Sequence, residues 1–530
     1  AREVFEHLPV QDIVSWNVLI TGYAQHGLGD VALKCFSQMK DAGVCPDAVT
    51  YICLLKACAT VGSLKIGEDI DAEVRKQGLL QKDIVLGNAL IDMYSKCGAL
   101  EKAREVFENL PMRDTVSWNS LIAGYVRNGF GDQVLKCFES MQIKGIYPDA
   151  VTYVYILKAC GMVGCLEIGE SIEAKVRKQG LLQNDIVLGN AVVDMYCKCG
   201  SLEKARETFE QLTERNIVSW NALIAGYAQN GHGDEALKYF KRMQNEGIRP
   251  DTITYVCSLK ACGLVGSLEI GKDIEASVQK QGLLNKDVVI GTALVDMYFK
   301  CGSFEKGREI FEQLSERNVV SWSAIIAGYA ENGFGDEALK CFRQMHDEGV
   351  CPNTVTYISV LKACGIVGSL GIGEKIDAEV RKQGLLQKDV VLGTALVDMY
   401  CKCGLLEKAQ EVFEKLPKRN VVTWSALIAG YAQNGLGAEA LKCFQDMQNA
   451  RVRPNAVTYI CVLKACGVVG CLEIGKSIDA EVRKQGLLQK DVVLGNALVD
   501  MYSKCGALEK ARALFEQLPK RNVVTWNALI

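Results

Sequence analysis

The chain has 530 residues, 49% of them apolar, and a formal net charge of −3. That balance excludes a nonspecific cationic nucleic-acid glue, because unselective phosphate binding needs a basic field; selective binding along one face stays open. No apolar run approaches the ~20 residues a membrane span needs, so no membrane partner is expected.

The chain repeats. Trp16, Trp118, Trp220, Trp322, Trp424 and Trp526 are its only tryptophans, and each lies 102 residues after the last. A fixed period with substitutions but no length change marks a solenoid whose units pack on their neighbours. Residues 1–12 supply an orphan second helix. Five triplets follow, 13–114, 115–216, 217–318, 319–420 and 421–522, and residues 523–530 begin another helix. Each triplet holds three helix-pair patterns of 35, 36 and 31 residues, at 13–47, 48–83 and 84–114 in the first copy. Both ends fall inside a pattern, so the chain reads as cut from a longer array.

In the 35-residue pattern a first helix is expected over 15–25, with Trp16, Leu19, Ile20 and Tyr23 on one face. Gly27 and Gly29 mark the turn. A second helix over 30–42 turns Ala32, Cys35, Phe36 and Met39 inward, and Gly43 and Pro46 stop it. The 36-residue pattern turns at Gly62 and stops at Gly78; the 31-residue pattern turns at Gly98 and ends at Pro111. Small residues such as Ala32, Ala123 and Ala205 are expected to let paired helices approach closely. The predicted fold is an all-α solenoid of antiparallel helix pairs.

Most of the 23 cysteines keep the repeat register: Cys58, Cys160, Cys262, Cys364 and Cys466 in one series, Cys97, Cys199, Cys301, Cys403 and Cys505 in another. They read as buried reduced thiols in a reducing compartment. No C-x-x-C pair occurs, and Cys197/Cys199 and Cys401/Cys403 are isolated, so no metal is expected. His346-Asp347-Glu348 matches H-x-E but lacks the P-C-x-x-C a zinc deaminase needs, and reads as a solvated helix end. His7, His26 and His232 share no catalytic register. With no phosphate-cradling glycine loop either, neither catalysis nor a cofactor is expected.

The informative positions change while their surroundings stay fixed. The fifth and last residues of the 35- and 31-residue patterns form the pairs Asn17/Asp47, Asn88/Asp114, Asn119/Asp149, Asn190/Asn216, Asn221/Asp251, Thr292/Asn318, Ser323/Asn353, Thr394/Asn420, Ser425/Asn455 and Asn496/Asn522. The flanks barely move: VLGNALVDMY surrounds Asn496 and VLGTALVDMY surrounds Thr394. Asp or Asn before a helix is also a good N-cap, and the two roles are compatible. An ionised Asp only accepts, which favours a base edge carrying a ring N–H, as in uracil and guanine. Asn also donates, which suits adenine or cytosine. Lys96, Lys198, Lys300, Lys402 and Lys504 close the first helix of each 31-residue pattern and are expected to meet phosphate. Lys56, Lys158, Lys260, Lys362 and Lys464 form a second series in the 36-residue patterns.

The segments VSWNALIAGYAQNGHGDEALKYFKRMQNEGIRPD, TYVCSLKACGLVGSLEIGKDI and GTALVDMYFKCGSFEKGREIFEQLSERN carry a resemblance to the pentatricopeptide repeat family. It is closest to the class whose motifs cycle as P, L and S types, and it covers essentially the whole chain. The resemblance implies a right-handed superhelix with first helices lining a concave groove. It implies single-stranded RNA as the partner, with one base read per motif through the fifth and last residues. Asn with Asp would read U, Thr or Ser with Asn would read A, and Asn with Asn a pyrimidine, usually C. The second residue would wedge between bases; it is Val14, Val85, Val116, Val187, Val218, Val289, Val320, Val391, Val422 and Val493. The L-like motifs depart from the code, with fifth residues Ile52, Val154, Val256, Ile358 and Ile460 and last residues Asp83, Asp185, Asp287, Asp389 and Asp491. They read as spacers or as docking sites for an editing accessory protein. The implied target is U-n-U-U-n-C-U-n-A-A-n-A-A-n-C. The class further implies a plant organelle, mitochondrion or chloroplast, and selection of cytidines for conversion to uridine, although the family's deaminase domain is absent from this chain. The rival reading is a tetratricopeptide-type protein–protein scaffold, whose repeats keep 34 residues and lack the paired variation.

Overall fold

The computed structural model describes residues 2–284, 286–489 and 491–529, with only the backbone of 183 and 184. Ala1 and Ile530, the outermost residues of the two partial patterns, lie outside the described residues. All described regular elements are helical. The chain forms two compact units, Ala1–Val265 and Gly266–Ile530, so the boundary falls at the turn of the third L-like motif.

Within each unit the same local physics sets every helix. The first P-like helix, Ile13–Gln25, begins two residues earlier than expected because Asp12 caps it, its carboxylate accepting from the Ser15 N–H at 2.9 Å. Its partner runs over Gly29–Asp41. The L-like pair is Ala48–Val61 and Leu64–Lys76, and Gly62 ends the first of these at φ +73°, a conformation glycine adopts without a Cβ penalty. The S-like pair is Ile84–Lys96 and Leu100–Asn109; Leu110 turns extended ahead of Pro111. One element was not foreseen. A single helical turn, Leu79–Gln81, follows the second L-like helix and recurs at Leu181–Asn184, Leu385–Gln387 and Leu487–Gln489. It occupies part of the longest pattern's extra length.

Within each unit, first helices pack on the first helices before and after them, and second helices pack on their own first helix. The aromatic core marks every S-to-P junction. Phe107 meets Trp118 edge-on at 4.7 Å, Phe209 meets Trp220 at 4.8 Å, and Phe311 meets Trp322 at 4.7 Å. Such edge contacts are worth about 0.5–1.5 kcal/mol beyond the area they bury. The arginine before the last residue locks the same junction. Arg113 donates from Nε to the Phe107 carbonyl at 2.8 Å with its guanidinium over the Phe107 ring, and Arg215, Arg419 and Arg521 repeat this. Asp114, Asn216, Asn420 and Asn522 each follow such an anchor.

First helices approach closely where glycine permits. A Cβ on Gly226 would lie 2.2 Å from the Cys197 sulfur. Ala32 and Ala205 are fully buried as expected, but Ala123 is half-exposed. It lies four residues after Asn119, in the register where Thr21 approaches Cys53 of the next first helix, so the position is only partly covered. Cys58, Cys160, Cys262, Cys364 and Cys466 are completely buried, and Cys97, Cys199, Cys301, Cys403 and Cys505 are half-buried. His346 stands in the last turn of Gly335–Asp347. No described helix is long and apolar enough to cross a membrane.

Candidate nucleic-acid interface

The last residue of every P-like and S-like motif caps the helix that follows, and it does so with one atom. Asp47 accepts at Oδ1 from the Thr50 N–H at 2.8 Å. Asp114, Asp149 and Asp251 do the same toward Ser117, Thr152 and Thr254. Asn216 accepts at Oδ1 from the N–H groups of Val218 and Ser219 at 3.0 and 3.1 Å. Asn318, Asn353, Asn420, Asn455 and Asn522 also cap through Oδ1. The cap therefore uses the atom that Asp and Asn share. The other atom is the one in which they differ, Oδ2 as an acceptor or Nδ2 as a donor; in Asp149 and Asp251 that Oδ2 also accepts from Asn119 and Asn221, at 3.3 and 3.2 Å. Among the described residues no Nδ2 of these asparagines has a protein partner. Burial pushes the Asp47 and Asp149 carboxyls up, but donation from Thr50 and Asn17, and from Thr152 and Asn119, outweighs it and holds both below the ordinary value.

The structure brings five of the six asparagine fifth residues onto these caps. Asn17 Nδ2 donates to Asp47 Oδ1 at 3.1 Å, Asn119 to Asp149 at 3.0 Å and Asn221 to Asp251 at 3.0 Å. Asn190 reaches Asn216, and Asn496 reaches Asn522, both at 3.3 Å. Asn88 and Asp114 are the exception: no bond joins them among the described residues. The Thr and Ser fifth residues turn back on their own helix instead. Thr292, Ser323, Thr394 and Ser425 donate to the carbonyls of Val288, Val319, Val390 and Val421 at 2.6–2.8 Å. Being short, they leave more room above the cap than Asn does. Most of these side chains are nearly covered, Asn190 being 7% exposed, so only an edge faces outward.

Three residues before each fifth residue stands the second, on the same helix face. All ten valines there are exposed, Val187 by 58%. The L-like motifs carry an exposed apolar side chain in the same register: Val49, Val151, Ile253, Val355 and Val457. Each described first helix of the full motifs thus presents an exposed apolar side chain in the same register.

The L-like motifs differ in geometry as well as residue type. Ile52, Val256, Ile358 and Ile460 are half-buried and Val154 is buried. Their last residues cap too, but Asp83, Asp185, Asp287, Asp389 and Asp491 adopt ψ near +100°, whereas Asp47 and Asn216 sit near 180°. Their carboxylates are therefore aimed differently.

The two lysine series also separate. Lys96, Lys198, Lys300, Lys402 and Lys504 are each ion-paired with an aspartate four residues earlier, Asp92, Asp194, Asp296, Asp398 and Asp500, at 2.6–2.7 Å. Lys56, Lys158, Lys260, Lys362 and Lys464 are exposed and have no ion pair among the described residues. Sequence reasoning missed those aspartates, although an acid four residues before a lysine on one helix is a legible signal. It also missed the third residue of each motif that follows a candidate pair. That residue is always Ser or Thr, from Thr50 and Ser117 to Thr458 and Thr525, and its hydroxyl lies against the cap or the fifth residue.

A model of the PPR repeat family matches residues 11–60, 113–162, 215–263, 317–365 and 419–467. A PPR repeat model matches 88–114, 190–217, 292–319, 394–421 and 496–523, and a pentatricopeptide repeat domain model matches 38–96. A mitochondrial pentatricopeptide repeat-containing protein of Arabidopsis thaliana is 36% identical over 99% of this chain and 51% of its own length. A chloroplastic one is 34% identical over 99% and 64%, and a second mitochondrial one 33% identical over 98% and 75%. The chain thus spans about half of the first of these relatives and just under two thirds of the second. The fold is similar to that of the pentatricopeptide repeat protein PPR10 from maize, with TM-score 0.54 and 21% identity over 100% of this chain and 82% of that one. PPR10 in complex with an 18-nt psaJ RNA element gives TM-score 0.54 and 19% identity over 100% and 79%. By its repeats and its relatives, the chain belongs to the pentatricopeptide repeat family.

Proposed function

We propose that this chain binds single-stranded RNA by sequence, reading one base per P-like or S-like motif along U-n-U-U-n-C-U-n-A-A-n-A-A-n-C. The carrying observation is the division of labour in the last residue. Oδ1 is committed to the helix cap in Asp and Asn alike, so only the outward acceptor or donor varies from motif to motif. A structural cap has no need for that variation. The exposed second-residue valines supply apolar wedges beside each reading edge. The L-like motifs hold the strand without choosing a base, and their unpaired lysines meet phosphate. Lys96 and its equivalents contribute less, because each carries a neutralising aspartate. A helical array of this kind suits the target-recognition part of an organelle C-to-U editing factor, with the chemistry and any accessory protein supplied by other chains or domains.

The test is binding of the 15-nt target against a scrambled 15-mer of equal composition. Preference for the target by about a hundredfold or more is the expected outcome, given per-base penalties of roughly 1–3 kcal/mol. Equal affinity for both, or none for either, would remove the reading and favour a protein-binding scaffold.

A further inference from the structure

Thr50, Thr152 and Thr254 are fully buried, each in the third place of an L-like motif. Each hydroxyl oxygen accepts from the backbone N–H of the preceding cap at 3.1–3.2 Å and lies 2.6–2.7 Å from Oδ1 of the fifth residue, Asn17, Asn119 or Asn221. The cap's own Oδ1 already accepts from a backbone N–H and from the Asn side chain. The hydroxyl also lies 2.8–2.9 Å from that Oδ1, but its shorter contact is to the Asn carbonyl, which has no other donor among the described residues, and the single hydrogen is assigned there. A closed ring results, and it fixes which way the amide faces. Its oxygen is occupied, and one N–H is left for a base.

Serine in this place does otherwise. Ser117 Oγ and Ser219 Oγ contact the cap, 2.9 Å from Asp114 Oδ1 and 3.2 Å from Asn216 Oδ1 as the threonines do, but among the described residues neither bonds to its fifth residue. The buried Oδ1 of Asn88 and of Asn190 has no partner. The chain contains its own control. Asn496/Asn522 is the same pair as Asn190/Asn216 in the same S-like framework, but Thr525 follows it and donates to Asn496 Oδ1 at 2.7 Å. The threonine methyl restricts χ1 and holds the hydroxyl toward the fifth residue, whereas serine rotates freely. An amide whose oxygen has no partner can present either its oxygen or its N–H to a base.

We propose that the third residue of the following motif is a positioning residue that sets how sharply each Asn-containing pair discriminates. Threonine locks the asparagine as a donor, and serine leaves it ambivalent. The proposal rests on the base-reading function above. Two codes that are identical at the fifth and last places then differ in fidelity.

The experiment uses the full chain and two sets of four 15-nt RNAs, one varied only at the sixth base, assigned to Asn190/Asn216, and one varied only at the fourth, assigned to Asn119/Asp149. Ser219→Thr should widen the spread between best and worst base there by about three- to ten-fold, one neutral hydrogen bond's worth, and leave the fourth-base spread unchanged. Thr152→Ser should narrow the fourth-base spread and leave the sixth unchanged. A structural role alone would shift melting temperature and affinity for all four RNAs of each set together, and that result overturns the proposal. If wild type discriminates at the fourth base but neither variant alters its own spread, the positioning role falls and base reading stands. If wild type discriminates nowhere, both fall.

Discussion

The Lys198 ammonium sits 2.7 Å from the Asp194 carboxylate one helical turn earlier, and its aliphatic stem lies against Gly161 of the preceding L-like helix. An exposed pair of this spacing is worth only about 0.3–0.5 kcal/mol, so the lysine can leave it for a phosphate. The aspartate stays behind, however, and opposes the RNA. Replacing Lys56, Lys158 and Lys260 by Ala should therefore flatten the slope of log K against log salt by ~2, or ~0.7 per contact on a single strand. The same change at Lys96, Lys198 and Lys300 should flatten it less. Equal effects would mean that the ion pairs impose no cost on phosphate binding, and no effect from the first set would remove those lysines from the interface.

The buried thiols make a second point of contact with experiment. Burial pushes Cys58, Cys160, Cys364 and Cys466 up to about 12, so almost none of each is thiolate near neutrality. Cys45 and Cys351 are exposed. Iodoacetamide at pH 8 followed by peptide mass spectrometry should label Cys45 and Cys351 first and the buried four only on unfolding. Early labelling of Cys160 in folded protein would contradict the packing described.

Acid should act on the Asp caps with a definite sign. Asp149 titrates below its ordinary value in the folded chain, so its contribution to stability is fully present above the unfolded carboxyl pKa of about 3.9. That contribution is lost as pH falls through the lower folded value. Asp149→Asn keeps the Oδ1 cap but does not titrate. The melting-temperature difference between wild type and variant should stay level from pH 7 to about 5 and shift against wild type below about 4. A difference independent of pH throughout would mean that the carboxylate gains nothing from Thr152 and Asn119.

Much of this was legible in the sequence for one reason: the repeat converts a single-chain reading into many observations of each position. Trp118, Gly98 and Pro111 mark a helix face, a turn and a stop, and recurrence separates them from chance. The candidate pairs stood out because Asn496 and Thr394 vary inside constant flanks. What escaped were effects that need distance. Nothing in the flanks says that Thr292 folds back on Val288 while Asn221 reaches Asp251, because rotamer choice depends on side-chain length and on the hydroxyl opposite. The turn at Leu79–Gln81 escaped because LLQ is too short for periodicity to register.

The code itself is best tested at Thr394/Asn420, the S-like pair of the fourth triplet and the twelfth motif in order. Thr394 donates to the Val390 carbonyl at 2.8 Å and lies 2.9 Å from the Thr423 hydroxyl; Asn420 caps through Val422 and Thr423. This pair should select A at the twelfth base. The double substitution Thr394→Asn with Asn420→Asp keeps the Oδ1 cap and keeps Thr423 in the third place, so it recreates the arrangement of Asn17, Asp47 and Thr50. Folding should be undisturbed, and circular dichroism with a thermal melt checks that. The free atom on the last residue changes from donor to acceptor, and the preferred twelfth base should change from A to U. A mismatch at one read base costs roughly 1–3 kcal/mol, so the variant should bind the U12 RNA better than the A12 RNA by about ten-fold or more. The thirteenth base, read by Ser425/Asn455, should not move. A folded variant that keeps the wild-type order of preference would show that these two residues do not set the base.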